Sequence, residues 1–380
     1  MGTFVLTDEQ KDLQALAKEF ADKEIRPISA EWDVIGDTPP ELYKKAADMG
    51  FTSMALPEEF GGLGLNYHTQ AIINEQLSMG DVGFANALGA SQFACRPVLI
   101  AGTDEQKRYV VDTVINGGMA SFALTEPNAG SDASALRTTA VKSGDEYILN
   151  GRKCFITNAP HAQFFCVFAK TAPEKGHRGI SCFLVERDRV GVSVGKHEDK
   201  MGFRLATASD IVFDEVHVPA DHLIGVENKG YNLAMKILDY SRIGVAAEGV
   251  GLAQEALNLA VAYAKDRVTF GKPIAQHQGI QFMLADMELK IQSARALCYE
   301  VAELAEAGVP GFGKISSCAK VAASDAAVAV ACDALQIFSG YGYMKDYRIE
   351  KLYRDAKLLQ IFEGRNQIQR MIIGGYLMRE

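Results

Sequence analysis

Glu363 stands between Phe362 and Gly364, with Ile361 just before them. A carboxylate in such apolar company is desolvated, which raises its pKa and makes it a base able to take a carbon-bound proton near neutral pH. The same local context also suits a residue that ends a helix and does no chemistry. Residues 124–132, Leu-Thr-Glu-Pro-Asn-Ala-Gly-Ser-Asp, are dense in small and hydrogen-bonding side chains. Such a loop offers backbone N–H groups and hydroxyls to a polar ring or a pyrophosphate, or it closes on itself as a capped turn. Arg267 brings a fixed fork of donors and a permanent charge suited to phosphate oxygens, its plain alternative being a solvated arginine at a helix end. Asp239 and Arg242 have the spacing of an ion pair along one helical face, which is equally the spacing of a pair that positions a polar ligand.

Several other chemistries lack their signatures. No GxGxxG follows a strand: Gly249-Val250-Gly251 lies inside an apolar helical pattern, and Gly62-Leu63-Gly64 has no third glycine. Both read as packing or turn glycines, against a Rossmann nicotinamide enzyme. Cysteines 95, 154, 166, 182, 298, 318 and 332 are odd in number and contain no CxxC, so they read as reduced, mostly buried thiols. The histidines show neither HxxxH nor HExxH; no metal site is expected, and His161, His217 and His222 read as loop or edge residues. The net charge of -9 is spread among interspersed signs, which excludes a nucleic-acid footprint. No apolar run reaches membrane length, so no membrane insertion is expected. Met1 is followed by a polar stretch in place of a basic patch and apolar run, which argues against a secretory signal. The expected location is the cytoplasm, with the mitochondrial matrix after removal of a transit peptide as the alternative.

The chain of 380 residues exceeds what one hydrophobic core usually serves. From residue 8 to about 117 the pattern is helical. Leu13, Leu16, Ala17 and Phe20 form one apolar face, and Thr7 with Gln10 makes a capping box. Pro27, Pro39-Pro40, Pro57 and Gly61-Gly62-Leu63-Gly64 divide this region into separate helices. Between about 121 and 225 the residues alternate and become β-branched. Segments 146–149 and 153–156 flank Asn150-Gly151, a strong hairpin signal, and further strands are predicted at 164–169, 180–185, 192–194 and 211–218. Helical spacing returns over 231–267, 274–307 and 314–338. After these come the turn Gly340-Tyr341-Gly342-Tyr343, a short helix around 349–361, the Glu363-Gly364 step and a last helix. The predicted architecture is multidomain α+β: an N-terminal helical domain (1–120), a middle antiparallel β-barrel or sandwich (121–225) and a C-terminal four-helix bundle (226–380).

Over nearly its whole length the sequence resembles the acyl-CoA dehydrogenase family, and its bacterial short-chain, butyryl-CoA type in particular. The resemblance rests on ordered stretches: 124–132, Phe155-Ile156-Thr157-Asn158, Asp199-Lys200-Met201-Gly202, Asp239-Tyr240-Ser241-Arg242-Ile243-Gly244 and 267–274. It continues through Gln278, Leu284-Ala285-Asp286-Met287, 336–343 and 353–364. It implies an FAD cofactor with Leu124, Thr125, Phe155 and Thr157 around the flavin ring and Ser131 at a phosphate or the CoA chain. Arg267, Phe270, Gln278, Gln336 and Gly340 would reach the FAD of a neighbouring subunit in a homotetramer built as a dimer of dimers. Arg365 and Gln367 would be further cofactor contacts. Tyr231, Asp239, Arg242, Phe362 and Gly364, with Ser131, would hold the acyl-CoA substrate. Glu363 would take the α-proton while the β-hydride passes to flavin N5, giving a trans-2-enoyl-CoA. Electron-transferring flavoprotein would be the acceptor.

Some positions depart from the family pattern. Arg365 stands where threonine is common, and either substitutes a charge contact for a hydroxyl or points to solvent. Phe362 replaces a common tyrosine, and Phe155 a common tryptophan. Residues 89–97 fall where the family closes its acyl pocket, and their small side chains are permissive. The expected substrate is a short, branched, cyclic or aromatic acyl-CoA. The rival readings are an acyl-CoA oxidase or an enoyl-CoA reductase on the same fold, and a catalytically silent acyl-CoA-binding protein.

Overall fold

The computed structural model describes residues 5–379; positions 1–4 and 380, the extremes of the expected outer domains, lie outside the described residues. The N-terminal part is helical: α1 (Asp8–Phe20), α2 (Ser29–Ile35), α3 (Pro40–Asp48), α4 (Tyr67–Gly80), α5 (Val82–Ala101) and α6 (Asp104–Ile115). The capping box at α1 forms as its spacing requires, with Thr7 Oγ1 accepting from the Gln10 N–H at 3.2 Å and Gln10 Oε1 accepting from the Thr7 N–H at 3.1 Å. Thr103 and Gln106 repeat it at α6.

The middle part is one seven-stranded sheet made of β1 (Met119–Ala123), β2 (Thr139–Ser143), β3 (Glu146–Thr157), β4 (Ala162–Lys170), β5 (Ile180–Glu186), β6 (Val192–Val194) and β7 (Ala208–Pro219). Two details differ from the sequence expectation. The sheet is mixed, because β4 runs parallel to β1 and, at Thr139–Lys170, to β2, while its other pairings are antiparallel. Parallel neighbours need a long crossover, and residues 124–161 supply it between β1 and β4. Asn150-Gly151 is not a hairpin tip; β3 runs straight through it. A Cβ at Gly151 would lie 2.4 Å from Thr138 Oγ1, so glycine is required there by close approach. Asn150 Oδ1 accepts the Glu215 N–H at 2.9 Å beside a register shift against β7, which is the geometry of a bulge. The hairpin tip is Gly144-Asp145, between the paired Ser143 and Glu146, with Gly144 at φ 61°.

The C-terminal part contains α7 (Gly230–Asp266), a small ribbon of β8 (Val268–Thr269) and β9 (Lys272–Pro273), α8 (Gln278–Glu306), α9 (Gly313–Phe338), α10 (Ile349–Leu359) and α11 (Asn366–Leu377). Helices α7, α8 and α9 pack on one another, and α10 and α11 pack on α9. The apolar core of this bundle also takes in Ala71, Ile72 and Val82 from the N-terminal helices and Phe203 from the segment before β7. Gly251 works as a packing glycine, since a Cβ on it would lie 2.3 Å from the Glu75 carbonyl oxygen on α4. A buried charge cluster ties the parts further. Lys351 Nζ lies 2.6 Å from both Asp81 and Asp355, and Asp355 accepts the Phe203 N–H at 2.7 Å. All seven cysteines are free and five are buried.

Candidate active site

A cavity of about 1410 Å³ opens where the helical parts meet the sheet. Glu363 reaches it from the loop between α10 and α11, where its backbone sits at φ 52°, a left-handed conformation that is strained for a residue other than glycine. The loop is braced so that this conformation holds. Gln369 Nε2 donates to the carbonyls of Glu363 and Gly364 at 3.0 and 2.9 Å, and Lys320 Nζ donates to the Gly364 carbonyl at 3.1 Å and to Asn366 Oδ1 at 2.9 Å. Ser241 Oγ, on α7, donates to Glu363 Oε2 at 2.8 Å and aims the carboxylate. Phe362 packs edge-on against Phe203.

Glu363 is half-buried and lines the cavity. Burial raises its pKa above the ordinary 4.5; the Ser241 hydrogen bond and the charges of Arg242 and Lys320 pull the other way without cancelling the rise. Lys320 is itself pulled down to about 8 by burial, against the attraction of Glu363. A carboxylate acting as a base works in its ionised form, so activity carried by Glu363 is expected to be lost on the acid side and to rise with pH along a limb displaced above the usual carboxylate range. Ser241→Ala removes a contact that favours the ionised form, and this limb is expected to move to still higher pH. The check is the pH dependence of kcat/KM for both proteins; an unmoved limb would separate Ser241 from the titration.

Opposite Glu363, residues 124–132 pass along the cavity with Leu124, Thr125 and Ser131 in its wall. A buried lysine holds this loop: Lys153 Nζ donates to the Leu124 carbonyl at 3.0 Å and to Glu126 Oε1 at 2.8 Å. Glu126 also accepts from the Arg137 and Thr138 N–H groups at 2.6 and 3.0 Å and from the Thr138 hydroxyl at 2.6 Å. Burial opposes the charge on Glu126, but Lys153 and these donors hold its pKa below the usual value. Phe155, 68% exposed and at φ 57°, stands where β3 shifts register, and Thr157 follows it into the wall. Tyr231, Arg242, Phe362, Gly364 and Arg365 complete the set of sequence-predicted residues that line the cavity. Arg365 Nε donates to Ser131 Oγ at 2.7 Å, so this arginine, unusual at its position, ties the loop carrying Glu363 to the 124–132 loop. From 89–97, Gly89, Ala90, Gln92, Phe93 and Arg96 form part of the lining.

Family models for the acyl-CoA dehydrogenase N-terminal, middle and C-terminal domains match residues 7–118, 121–216 and 228–378. The chain belongs to the acyl-CoA dehydrogenase family. It is 43% identical to an acyl-CoA dehydrogenase of Bacillus subtilis (strain 168), over 98% of this chain and 99% of that one. It is 44% identical to a 3-(aryl)acrylate reductase of Clostridium sporogenes, over 98% and 99%. The solved butyryl-CoA dehydrogenase of Megasphaera elsdenii superposes with a TM-score of 0.96 at 42% identity, covering 99% of this chain and 100% of that one.

For this acyl-CoA dehydrogenase, the cavity's chemistry fits the flavin that the family implies. It combines an exposed aromatic ring, threonine hydroxyls just beyond β1 (Thr125) and at the end of β3 (Thr157), and a loop in which a Cβ at Gly130 would meet nothing within 4 Å. Not every predicted residue joins it. Arg267, Phe270, Gln278, Gln336, Gly340 and Gln367 lie outside the lining and are exposed, Phe270 at 95%, and Arg267 stacks over the Tyr341 ring at 5.4 Å. Asp239 is also outside the lining, but it orients Arg242 through a 2.6 Å ion pair, with Ser317 3.3 Å from the same guanidinium nitrogen.

Ser241, Lys320 and Lys153 were not legible as site residues. Ser241 precedes Arg242 in the 239–244 motif, but nothing local marks it as the partner of a residue so far along the chain. A lysine inside an apolar helical run, as at Lys320, was the available signal for a buried, functional cation. His161 sits, as expected, in the turn between β3 and β4, with its Nε2 2.6 Å from Asp37 Oδ1; Asp37, His161 and His197, from three separate segments, bring one potential ligand atom each within 4.8 Å of one another. Sequence spacing has no means of showing such a cluster.

Proposed function

We propose that this chain is an FAD-dependent acyl-CoA dehydrogenase that removes the α-proton and β-hydride of a short, branched, cyclic or aromatic acyl-CoA to form the trans-2-enoyl-CoA. The observation that carries the reading is the Glu363 carboxylate, braced in a strained loop and aimed into the cavity by Ser241. FAD, when bound, supplies the hydride acceptor at N5. Thr125 and Thr157 offer hydroxyls to its polar edge, Leu124 and Phe155 cover its ring, and Ser131, steadied by Arg365, reaches a phosphate or the CoA chain. Arg242, positioned by Asp239, together with Tyr231, Phe362 and Gly364, holds the substrate so that its α-hydrogen faces Glu363. Glu363 takes that proton onto a carboxylate oxygen, which serves a weakly acidic C–H best when burial has made the carboxylate more basic. Turnover of a panel of acyl-CoA thioesters with an artificial electron acceptor tests the substrate class. Four- to eight-carbon, branched or ring-bearing acyl groups should lead; faster turnover of palmitoyl-CoA would refute the class.

The reverse reaction, enoyl-CoA reduction, is a second reading favoured by the 44% identity to a reductase. The same residues serve it, with protonated Glu363 returning the proton to the α-carbon. In the dehydrogenase direction, electron-transferring flavoprotein is the proposed acceptor, and the cytoplasm the proposed location.

We also infer a homotetramer, a dimer of dimers holding FAD partly across subunits. Large apolar side chains stay exposed on the C-terminal part, among them Phe270, Phe282, Leu289, Tyr343 and Met344. A face of this kind marks an interaction surface. The stretch Gly313–Tyr343 is long and apolar enough to cross a bilayer, but half of its most apolar window is buried within the protein, and packing against α7 and α8 accounts for that half. Arg267, Phe270, Gln278, Gln336 and Gly340 would meet the neighbour's FAD from this surface, while Gln367 stays a proposed cofactor contact of its own chain. Arg267→Ala is expected to lower FAD retention through gel filtration at least ~10-fold, the worth of one charge-assisted phosphate contact. A monodisperse monomer that keeps its full flavin would overturn this assignment.

A further inference from the structure

Seven residues beyond Ser241 on α7, on the same helical face, Glu248 also lines the cavity. Two helical turns place the two residues about 10 Å apart along the axis. Between them Gly244 leaves the wall open, since a Cβ there would touch only the Asn74 amide nitrogen, at 3.8 Å. The groove therefore runs from the carboxylate of Glu363, past Gly244, to a second carboxyl at Glu248. Its sides are apolar where Leu77, Leu88 and Phe203 face it.

Glu248 is unlike its surroundings. It is only 4% exposed; Asn86 Nδ2 donates to its Oε1 at 3.1 Å, and its Oε2 is buried without a partner among the described residues. The charge that acts on it is that of Glu363, a like charge. Burial pushes its pKa up to about 8, the Asn86 contact opposing the rise and Glu363 adding a smaller part of it, so near neutral pH the group carries its proton. A protonated carboxyl is both a donor and an acceptor, and leaving half of it unmatched in an apolar groove is unfavourable. It has no part in the abstraction of the α-proton, which Glu363 performs.

We propose that Glu248 selects acyl groups bearing an uncharged hydrogen-bonding substituent, a hydroxyl or an amide, on the carbons beyond the β-position. The inference rests on the acyl-CoA dehydrogenase reading of the cavity and narrows its substrate class. An acyl tail running along the groove from Glu363 brings its distal carbons to Glu248. There a hydroxyl or amide accepts from the acid O–H and donates back to the carboxyl carbonyl oxygen, while a plain alkyl end leaves that carboxyl unmatched. A site built around a hydrogen bond discriminates against the analogue that lacks it far more strongly than an apolar slot discriminates between alkyl groups.

The test compares kcat/KM for hexanoyl-CoA, 5-hydroxyhexanoyl-CoA, 6-hydroxyhexanoyl-CoA and 6-aminohexanoyl-CoA with the wild-type protein and with Glu248→Gln and Glu248→Leu. Wild type should prefer at least one hydroxyacyl thioester over hexanoyl-CoA by ~10-fold or more. Glu248→Gln, which keeps an acceptor and a donor, should retain most of that preference, and Glu248→Leu should abolish it. Bound-flavin absorbance and reduction by butyryl-CoA, followed in every variant, report on folding and on the dehydrogenase reading independently. If butyryl-CoA reduces the flavin but wild type shows no hydroxyl preference, or if Glu248→Leu keeps it, the selector role is wrong while the dehydrogenase reading stands. If the aminoacyl thioester is the best substrate, Glu248 acts as an anion and the proposal of a neutral partner fails. If no acyl-CoA reduces the flavin, the underlying reading fails instead.

Discussion

Glu363→Gln is expected to slow reduction of bound flavin by an acyl-CoA at least ~10³-fold while leaving a folded, yellow protein that still binds its substrate. Glutamine keeps the size of glutamate and an oxygen for the Ser241 hydroxyl, so the 2.8 Å contact and the brace from Gln369 and Lys320 to the loop carbonyls have no reason to break. It has no useful basicity toward a C–H bond. A positioned general base contributes ~10² to 10⁴-fold, and here hydride loss depends on the same proton leaving, which places the effect toward the upper end. A ~10³-fold loss corresponds to about 4 kcal/mol of transition-state stabilisation. It should appear in the reduction rate, with substrate affinity little changed. Anaerobic stopped-flow reduction, beside a titration of the flavin spectral shift on binding, separates the two. A variant within tenfold of wild type would move the base to another carboxylate.

The second large effect is expected at Lys153→Met. Lys153 is fully buried, and the change leaves the Glu126 carboxylate, itself 6% exposed, without its cation and removes a donor from the Leu124 carbonyl. Breaking one side of a buried pair costs about 3 to 5 kcal/mol, because a charge remains where water does not reach it. The loss falls on the loop that is assigned to the flavin, so a lower thermal midpoint and weaker FAD retention should come together. Glu126→Gln should do less harm, since burial already pulls Lys153 down to about 8 and the lysine left behind can shed its proton, while the Thr138 hydroxyl and N–H still find an acceptor. An unchanged midpoint and full flavin content in Lys153→Met would show that the pair does not hold the loop.

Local signals were legible in the sequence where local physics decides the structure. The Thr7 cap, the three long C-terminal helices and strands such as 164–169 and 180–185 appear at the expected places because caps and hydrophobic periods act within a few residues. Asn150-Gly151 misled for the same reason in reverse. Its local preference is a tight turn, but the approach of Thr138 and the pairing of β3 with β7 override it and turn the glycine into a bulge. The parallel pairing of β4 with β1 is likewise a long-range matter, set by a crossover that alternation in a single segment does not reveal.

At the site, Glu363 and the 124–132 loop stood out by residue type and by their place in ordered family motifs. Ser241, Lys320 and Glu248 did not, because the contacts that bring each to the site, with Glu363, Gly364 and Asn86, are far apart in sequence. The residues expected across a subunit interface, such as Arg267 and Phe270, sit exposed on the surface of the single chain, and the roles proposed for them need a neighbour.

The most direct test of the central claim is anaerobic mixing of the purified wild-type protein with butyryl-CoA, following the visible flavin band and the product together. An acyl-CoA dehydrogenase with Glu363 as its base will hold bound FAD, lose the oxidised flavin absorbance on mixing and form crotonyl-CoA in step with the flavin reduced. A protein that holds no flavin, or whose flavin stays oxidised with butyryl-CoA and with every branched and ring-bearing thioester of the panel, would contradict it.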